Sequence, residues 1–218
     1  MKLSSKTLEL LKNFSTLNQG MLFLPGKQLK TMNTTKTAFA QAVITEEIPR
    51  RFAIYSLPEL LAIIDLFNDP EIEFEEKYLT IKEGDNTITY YYASEAIIIA
   101  PPEGKNINMP SEDYSFHLSE AEISRIQKTA AIMKFDMIGV SQGGIRAFNS
   151  KTADSTSNVF KMAIAVQTSS TDEVRFKIDD LKMIAGAYAI DISSAGIARI
   201  TNVDDADLIY YIPLVAQQ

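Results

Sequence analysis

Hydrophobic positions first recur along the chain with the spacing of short amphipathic helices. Leu3–Leu17 places its leucines and a phenylalanine on one helical stripe and its lysines on the other. Ser56–Asn68 repeats the pattern, with Ser56 as N-cap and Glu59 at the capping-box position. Ser119–Phe135 predicts a third helix, with a capping box from Ser119 to Glu122.

Between these helices, the apolar residues alternate with polar ones, which is typical of strands. In the first half, the predicted strands are Met21–Leu24, Gln28–Met32, Thr37–Thr45, Arg51–Ile54, Glu71–Phe74, Tyr78–Glu83, Thr87–Ala93 and Ile97–Ala100. In the second half, they are Met137–Val140, Ile145–Phe148, Asn158–Thr168, Val174–Ile178, Tyr188–Ile192, Ile197–Thr201 and Leu208–Leu214. The first two strands of each half are expected to form a hairpin, about Pro25-Gly26 and about Gln142-Gly143-Gly144.

The two halves resemble each other. Met21–Asn33 aligns without a gap with Met137–Asn149, and Arg51–Ile54 aligns with Arg175–Ile178. A second helix is therefore expected at Asp180–Gly186. Coincidence would explain one matched segment but hardly several in the same order. We predict an α+β fold of two similar domains, 1–110 and 111–218, with a linker at about 101–114 rich in Pro, Gly and Asn.

Composition narrows the protein class. The chain has 218 residues, of which 46% are hydrophobic and 22% charged, as in ordinary globular proteins. No apolar run is long enough to cross a bilayer, and the N-terminus lacks the features of a signal peptide, so no membrane role is expected. The absence of cysteine excludes disulfides, thiol catalysis and thiolate metal sites.

Motifs for catalysis or cofactor binding are missing from the sequence, so we predict neither an enzyme nor a cofactor. The single histidine, His117, is expected at the surface near a helix start. The acidic group Asp204, Asp205 and Asp207 has two interpretations, a divalent-ion site or a turn between strands, and we favour the turn. Tyr90–Tyr92 could stack on bases, but one face of a core or of a subunit interface is the favoured interpretation.

Charge gives the one hint of a partner. The formal net charge of −7 argues against nucleic acid unless basic residues gather on one face. Lysines and one arginine do gather on the predicted helices, at Lys2, Lys6, Lys12, Arg125, Lys128, Lys134 and Lys182. Such a face is either an ordinary solvated helix surface or a sequence-independent phosphate surface.

The same order of elements resembles the DNA polymerase sliding clamps, and specifically the processivity clamps of T-even-like tailed phages. The resemblance is strongest at Met1–Met21 and at Ala53–Phe74, and looser at Thr87–Pro101. The second half matches in the order of its elements and only weakly in sequence.

This resemblance implies the DNA clamp fold, in which helices lie on one face of antiparallel sheets. It implies three subunits joined head-to-tail into a ring around duplex DNA, with the basic residues above lining the hole. It also implies a polymerase tethered for processivity, an ATP-driven clamp loader, a role in late phage transcription and a location in the cytoplasm of the infected bacterial host.

The resemblance further implies a pocket for short partner peptides near the linker and the C-terminus. Exposed apolar residues would form it, and the candidates are Ile98, Ile99, Pro101, Pro102 and Val215. Ordinary core packing is the competing explanation for these residues. The competing function is a structural or assembly protein built from a duplicated α+β domain with no DNA role, and a metal-using enzyme at Asp204–Asp207 is a more distant alternative.

Overall fold

The structure is a computed structural model that describes residues 1–104, 106–152 and 157–215. The chain divides into two compact units, Met1–Gly104 and Lys105–Gln218. The domain limits 1–110 and 111–218 remain our proposal for where the domains end. Within the described residues, no helix has the length and apolar character needed to span a membrane.

The first unit contains two helices and seven strands in its described residues. Their bounds are α1 (Ser5–Leu17), β1 (Met21–Phe23), β2 (Gly26–Met32), β3 (Phe39–Ile48), β4 (Phe52–Ile54), α2 (Leu57–Ile64), β5 (Glu71–Phe74), β6 (Tyr78–Glu83) and β7 (Asn86–Tyr91). All strand pairs are antiparallel: β1 with β4, β2 with β3, and β6 with both β5 and β7. Helix α1 packs against α2, β2 and β3, so the helices cover one side of the strands.

Helix α1 forms because its apolar stripe is buried and its start is capped. Leu10, Leu11 and Phe14 are all buried, and the Ser4 hydroxyl accepts a hydrogen bond from the backbone N–H of Thr7. Helix α2 is capped in the same way by Ser56, which accepts from the backbone N–H of Glu59.

The second unit contains one α-helix and nine strands in its described residues. Their bounds are β8 (Tyr114–Leu118), α3 (Glu120–Met133), β9 (Met137–Ser141), β10 (Gly144–Phe148), β11 (Val159–Met162), β12 (Gln167–Thr168), β13 (Val174–Lys177), β14 (Tyr188–Ser193), β15 (Ile197–Asn202) and β16 (Ile209–Pro213). One sheet has the order β11–β10–β9–β13, and β12, β8, β14, β15 and β16 are neighbours in that order in another. Both capping-box hydrogen bonds predicted for Ser119 and Glu122 are present at the start of α3, which packs against β10.

The internal repeat is visible in the strand pairing. In the first unit, β1 follows α1 and pairs antiparallel with β4, the strand before α2. Leu22 lies opposite Ala53 in this pair. In the second unit, the corresponding strands β9 and β13 also pair antiparallel, and Ile138 lies opposite Phe176. The predicted fold of helices on antiparallel sheets is therefore found in both units.

Several predicted elements are wrong. The first-half hairpin does not form, because β1 pairs with β4 while β2 pairs with β3. Ile97–Ala100 is not a strand, since Glu95–Ile97 forms a 3₁₀ turn and the side-chain amide of Asn18 donates to the carbonyl of Ile99. The predicted strand Asn158–Thr168 is split into β11 and β12, which lie in different sheets. Strand β8 was not predicted at all.

The predicted second helix of the second half is also wrong. Ile178–Asp180 forms one 3₁₀ turn, and no helix follows up to Gly186. The backbone of Ile184 is hydrogen-bonded by two tyrosine hydroxyls instead. The Tyr188 hydroxyl donates to the carbonyl of Ile184 at 2.7 Å, and the N–H of Ile184 donates to the Tyr210 hydroxyl at 3.3 Å. These bonds replace the intrahelical partners that a helix would use.

Candidate nucleic-acid interface

Helix α1 presents a polar stripe on the side away from its buried residues. Lys6, Glu9, Lys12 and Thr16 are exposed on it, at the three- and four-residue spacing of one helical face. Lys2 precedes the helix and is also exposed. The structure therefore brings the three predicted lysines of the first unit to one solvent-facing side of α1.

Two of these lysines are paired with carboxylates that follow α2. The ammonium of Lys2 bonds Asp69, and the Lys12 Nζ lies 3.0 Å from Asp65 Oδ2. The hydrogen bond to Asp69 raises the pKa of Lys2 above its usual value, so the lysine stays charged. Exposed pairs of this kind contribute little to stability because water and salt screen them, so a phosphate can replace the carboxylate at little cost.

Helix α3 carries the corresponding stripe of the second unit. Arg125 and Lys128 are exposed one turn apart, on the side opposite the buried Ile123 and Ile126. Among the described residues, no carboxylate lies within ion-pair distance of either base. The pKa of Glu122 is lowered mainly by hydrogen bonds from Ser119, and the charge of Arg125 adds to this effect. This stripe is therefore less neutralised than that of α1.

The remaining two predicted bases lie at the margins of α3. Lys134 is the C-cap of α3, with a positive φ of 56° and an exposed side chain. Lys182 is exposed on an irregular segment and not on a helix, which corrects its predicted setting. That segment is still held against α3, because the Gln127 side chain donates to the carbonyl of Leu181 at 3.0 Å.

The predicted partner-pocket residues are divided between the two units. Ile98 and Ile99 are half-buried at the C-terminal end of α1, where Ile98 packs against Gly20. Pro101 is half-buried and Pro102 is exposed. Val215 lines a pocket of about 600 Å³ in the second unit.

That pocket has a mixed lining. Its apolar lining residues include Val174, Leu214 and Val215, and its charged lining residues include Asp172 and Arg175. The backbone N–H of Val215 donates to the carbonyl of Arg175 at 2.8 Å, which ties the C-terminal segment along β13. A pocket lined by both apolar and charged residues can hold a short peptide.

The other candidate residues take structural positions. Asp204 and Asp205 lie in the turn after β15, where both backbone N–H groups donate to the Asn202 side chain. His117 lies exposed on β8. Among the described residues, no group of three His, Cys, Asp or Glu side chains is arranged to hold a metal ion.

Sequence reasoning missed the acidic partners Asp65 and Asp69, because it assigned no function to the residues that follow α2. The signal was available in part. A short antiparallel helix beside α1 brings the end of α2 close to the start of α1, where Met1 bonds Ile72 through both backbone groups.

Comparison with protein families and known proteins identifies the class. Residues 2–100 match the family of DNA polymerase processivity factors. The chain is 29% identical over 208 residues to the sliding clamp of Vibrio phage KVP40, which covers 91% of this chain and 93% of that protein. It is 28% identical over 205 residues to the sliding clamp of Enterobacteria phage T4, which covers 90% and 89%.

Solved structures agree on the fold. PCNA of Entamoeba histolytica matches with a TM-score of 0.68 at 12% identity, over 96% of this chain and 94% of that one. PCNA of A. fulgidus, solved with the C-terminal region of FEN-1 bound, matches with a TM-score of 0.66 at 14% identity, over 97% and 95%. The DNA polymerase III β subunit of Pseudomonas aeruginosa matches with a TM-score of 0.65 at 14% identity, and this chain spans 62% of its length.

The predicted sliding-clamp fold and the predicted resemblance are both confirmed by these matches. The matched family is described as DNA polymerase processivity factors and the phage relatives as sliding clamps, which agrees with the prediction that the chain is not an enzyme. The chain is therefore similar to the DNA polymerase processivity factors over residues 2–100, and to the sliding clamps of T-even-like phages over about nine-tenths of its length.

Proposed function

We propose that three copies of the chain close head-to-tail into a ring around duplex DNA, with α1 and α3 of each copy lining the hole. The observation that carries the proposal is a pair of basic stripes in a chain of net charge −7. One consists of Lys6 and Lys12 on α1 with Lys2 just before the helix, and the other of Arg125 and Lys128 on α3. Lys134 and Lys182 extend the second stripe.

Weak phosphate contacts suit a protein that must move along DNA. Contacts of lysine and arginine with phosphates carry no sequence information, whereas base contacts would hold the protein at one site. The Lys2–Asp69 and Lys12–Asp65 pairs support this proposal, because the carboxylates compete with phosphate and keep each contact weak.

Free strand edges offer the joint between copies. Strand β7 lies at the end of the β5–β6–β7 sheet, and β11 lies at the end of the sheet that contains β9 and β10. Each edge exposes an apolar side chain, Tyr91 on β7 and Val159 on β11. Because these edges differ, pairing β7 of one copy with β11 of the next gives a head-to-tail contact that can close.

The bound clamp would tether the replicative DNA polymerase and would be loaded by an ATP-driven clamp loader, in the cytoplasm of the infected bacterial host. A role in late phage transcription, through factors that bind the clamp, belongs to the same proposal. Each unit carries a candidate surface for partner peptides: Ile98, Ile99, Pro101 and Pro102 in the first unit, and the Val215 pocket in the second. The binding of a C-terminal region of FEN-1 by A. fulgidus PCNA supports a peptide mode of attachment.

The test removes positive charge from α3. The double variant Arg125→Ala/Lys128→Ala is expected to lose processive synthesis on circular DNA at a lower salt concentration than the wild type. Two lost phosphate contacts reduce the slope of log affinity against log salt by about 2. Lys27→Ala/Lys77→Ala removes the same charge from exposed residues outside the helices and is the matched control.

Variants of the carboxylates that pair with the first stripe should change the salt tolerance in the opposite direction. Asp65→Asn/Asp69→Asn frees Lys12 and Lys2 for phosphate, so processivity should persist to higher salt than in the wild type. If the α3 variant and its control respond alike at every salt concentration, these helices do not line the DNA. That result would favour the competing function of an assembly protein, despite the family match.

A further inference from the structure

A row of basic residues crosses the β11–β10–β9–β13 sheet on one face. Arg146 of β10 pairs directly with Lys161 of β11 on one side and with Gly139 of β9 on the other. Gly139 in turn pairs with Arg175 of β13. Directly opposed residues project from the same face of a sheet, so Lys161, Arg146 and Arg175 form one line, which we name the basic row.

The basic row lies on the face of the sheet that is turned away from its core. The alternate residues Ile138, Ala147 and Phe176 are almost completely buried and form the opposite face. Arg146 and Arg175 are half-buried, and Lys161 is exposed. The row is therefore reachable from solvent.

A built carboxylate site occupies the centre of the row. The Glu173 carboxylate bonds both guanidinium groups: Arg146 Nη2 and Arg175 Nε each lie 2.7 Å from Glu173 Oε1, and Arg146 Nε bonds the other oxygen. A Cβ on residue 139 would lie 2.6 Å from the Glu173 Cδ, so the glycine makes the recess in which the carboxylate lies. The Arg146 guanidinium stacks over the Phe148 ring at 4.1 Å, which fixes its plane.

The hydrogen bonds set the ionisation of this carboxylate. Burial alone would raise the pKa of Glu173, but the bonds from Arg146 and Arg175 outweigh it and hold the pKa below its usual value. The site therefore binds a carboxylate in its ionised form. The planar fork of Arg146 matches the two carboxylate oxygens, which is the geometry in which arginine recognises carboxylates, and Arg175 adds one bond to Oε1.

The single carboxylate of Glu173 does not neutralise the three positive charges of the basic row. Lys161 lies directly opposite Arg146, and like charges in this position destabilise a sheet. In the described part of the chain, no acidic side chain lies within ion-pair distance of Lys161. Residues that lower stability without a compensating contact occur most often at functional sites. In the described part of this sheet, such residues are the neighbouring positive charges of the basic row.

We propose that this sheet face binds an acidic peptide segment of a partner protein, whose carboxylates contact Lys161 and displace Glu173 from the two arginines. The occupant that the structure holds at the site is a carboxylate, which favours an acidic peptide over nucleic acid. The proposal does not rest on the proposed ring. The side chain of Lys161 projects from the sheet face and not along the strand edge, so it stays accessible if β11 pairs with another strand.

The probe is fluorescently labelled octaglutamate, with binding followed by anisotropy at several salt concentrations. Lys161→Glu reverses the exposed charge and should weaken binding about tenfold at low salt. Lys27→Glu makes the same charge change on an exposed lysine of β2 and should leave binding unchanged. Equal affinities of the two variants would overturn the proposal.

Glu173→Gln tests the displacement step. Loss of the competing charge should tighten octaglutamate binding about fivefold, with folding checked by a thermal melt. A folded Glu173→Gln protein with unchanged or weaker binding would show that Glu173 is not displaced. If duplex DNA binds this face more tightly than octaglutamate and Lys161→Glu abolishes that binding, the surface recognises nucleic acid and the peptide proposal is wrong.

Discussion

Glu46 shows how one strand residue can fix the start of a helix. It lies on β3, and its carboxylate accepts hydrogen bonds from the backbone N–H of Ser4 and from the Thr7 hydroxyl at 2.6 Å. Ser4 is itself the N-cap of α1. Burial would raise the pKa of Glu46, but these hydrogen bonds lower it to about 2. The helix start and the strand are thereby joined through one ionised group.

Replacing Glu46 by Gln should lower the free energy of unfolding by about 1 kcal/mol at pH 7, the usual value of a helix-cap bond. The folded pKa is depressed below the ordinary 4.5, so the contribution is present above pH 4.5 and is lost as the pH falls toward 2. The difference between wild type and variant should therefore shrink from pH 7 to pH 3. Urea unfolding at both pH values measures it.

Glu47→Gln is the control for this prediction, because Glu47 is the exposed neighbour on the same strand. It should leave stability unchanged at both pH values. If Glu46→Gln shows a pH-independent loss, the hydrogen bonds to Ser4 and Thr7 matter but the charge of Glu46 does not.

The hairpin between β9 and β10 shows what a glycine contributes at the scale of an element. Gly144 has a φ of +112°, a region that other residues rarely adopt, and a Cβ there would lie 2.4 Å from the carbonyl oxygen of Met162. Gly143, one residue earlier in the turn, would meet only the Ser141 hydroxyl at 3.9 Å. Two adjacent glycines therefore have different roles.

Gly144→Ala should lower the free energy of unfolding by about 2–3 kcal/mol, because the new methyl group collides with the backbone of β11 and strains the turn. Gly143→Ala should change it by less than about 0.5 kcal/mol. Chemical denaturation of both variants makes the comparison. Similar losses for both would mean that turn flexibility, and not the close approach of β11, requires glycine here.

Helices were predictable from sequence where capping and burial agree. Residues 119–135 carry both partners of a capping box, and the observed helix starts directly after Ser119. At α2 the predicted box is only half formed: Ser56 caps Glu59, but the Glu59 carboxylate accepts from the Tyr90 hydroxyl. Such a contact depends on a strand 31 residues away, which no local pattern reveals.

The wrong elements failed for tertiary reasons. Asp180–Gly186 has a helix-like pattern, but Tyr188 and Tyr210 take the backbone bonds of Ile184. In the first half, Pro25 has no N–H to donate, so β1 ends at Phe23 and pairs elsewhere. The same limit applies to the candidate site: the basic stripes followed from helical spacing, whereas the acidic partners of Lys2 and Lys12 come from distant residues.

Strand β8 could have been found. Tyr114, Phe116 and Leu118 are buried and alternate with Ser115 and His117, which is the ordinary period of a strand. The prediction instead extended the linker to residue 114 and assigned His117 to a helix start. A Pro- and Gly-rich stretch before it concealed the alternation.

Charge is distributed unevenly over the whole chain. The net charge is −7, yet the exposed stripe of α3 and the basic row on the sheet both carry uncompensated positive charge within the described residues. The excess of acidic side chains on the rest of the protein repels DNA from the surfaces outside the α1 and α3 stripes. Two separate positive surfaces on an acidic protein are consistent with two different anionic partners.

Ring closure is tested by a charge on one strand edge. Tyr91 on β7 is 70% exposed, and Val203, which follows β15, is 54% exposed. Tyr91→Asp places a negative charge at the proposed joint and should dissociate the ring, since an unpaired charge at a strand edge opposes pairing with another strand. Val203→Asp adds the same charge outside both edge strands and should leave assembly intact.

Light scattering across a dilution series measures the outcome. Wild type and Val203→Asp should show three times the chain mass of 24.3 kDa, and Tyr91→Asp should fall to one chain mass with an unchanged thermal melt. A Tyr91→Asp protein that keeps three chains would mean that β7 is not the joint. A wild type of one chain mass at every concentration would contradict a ring that closes without a loader, and capture on circular DNA in the presence of the loader would then decide whether the ring forms at all.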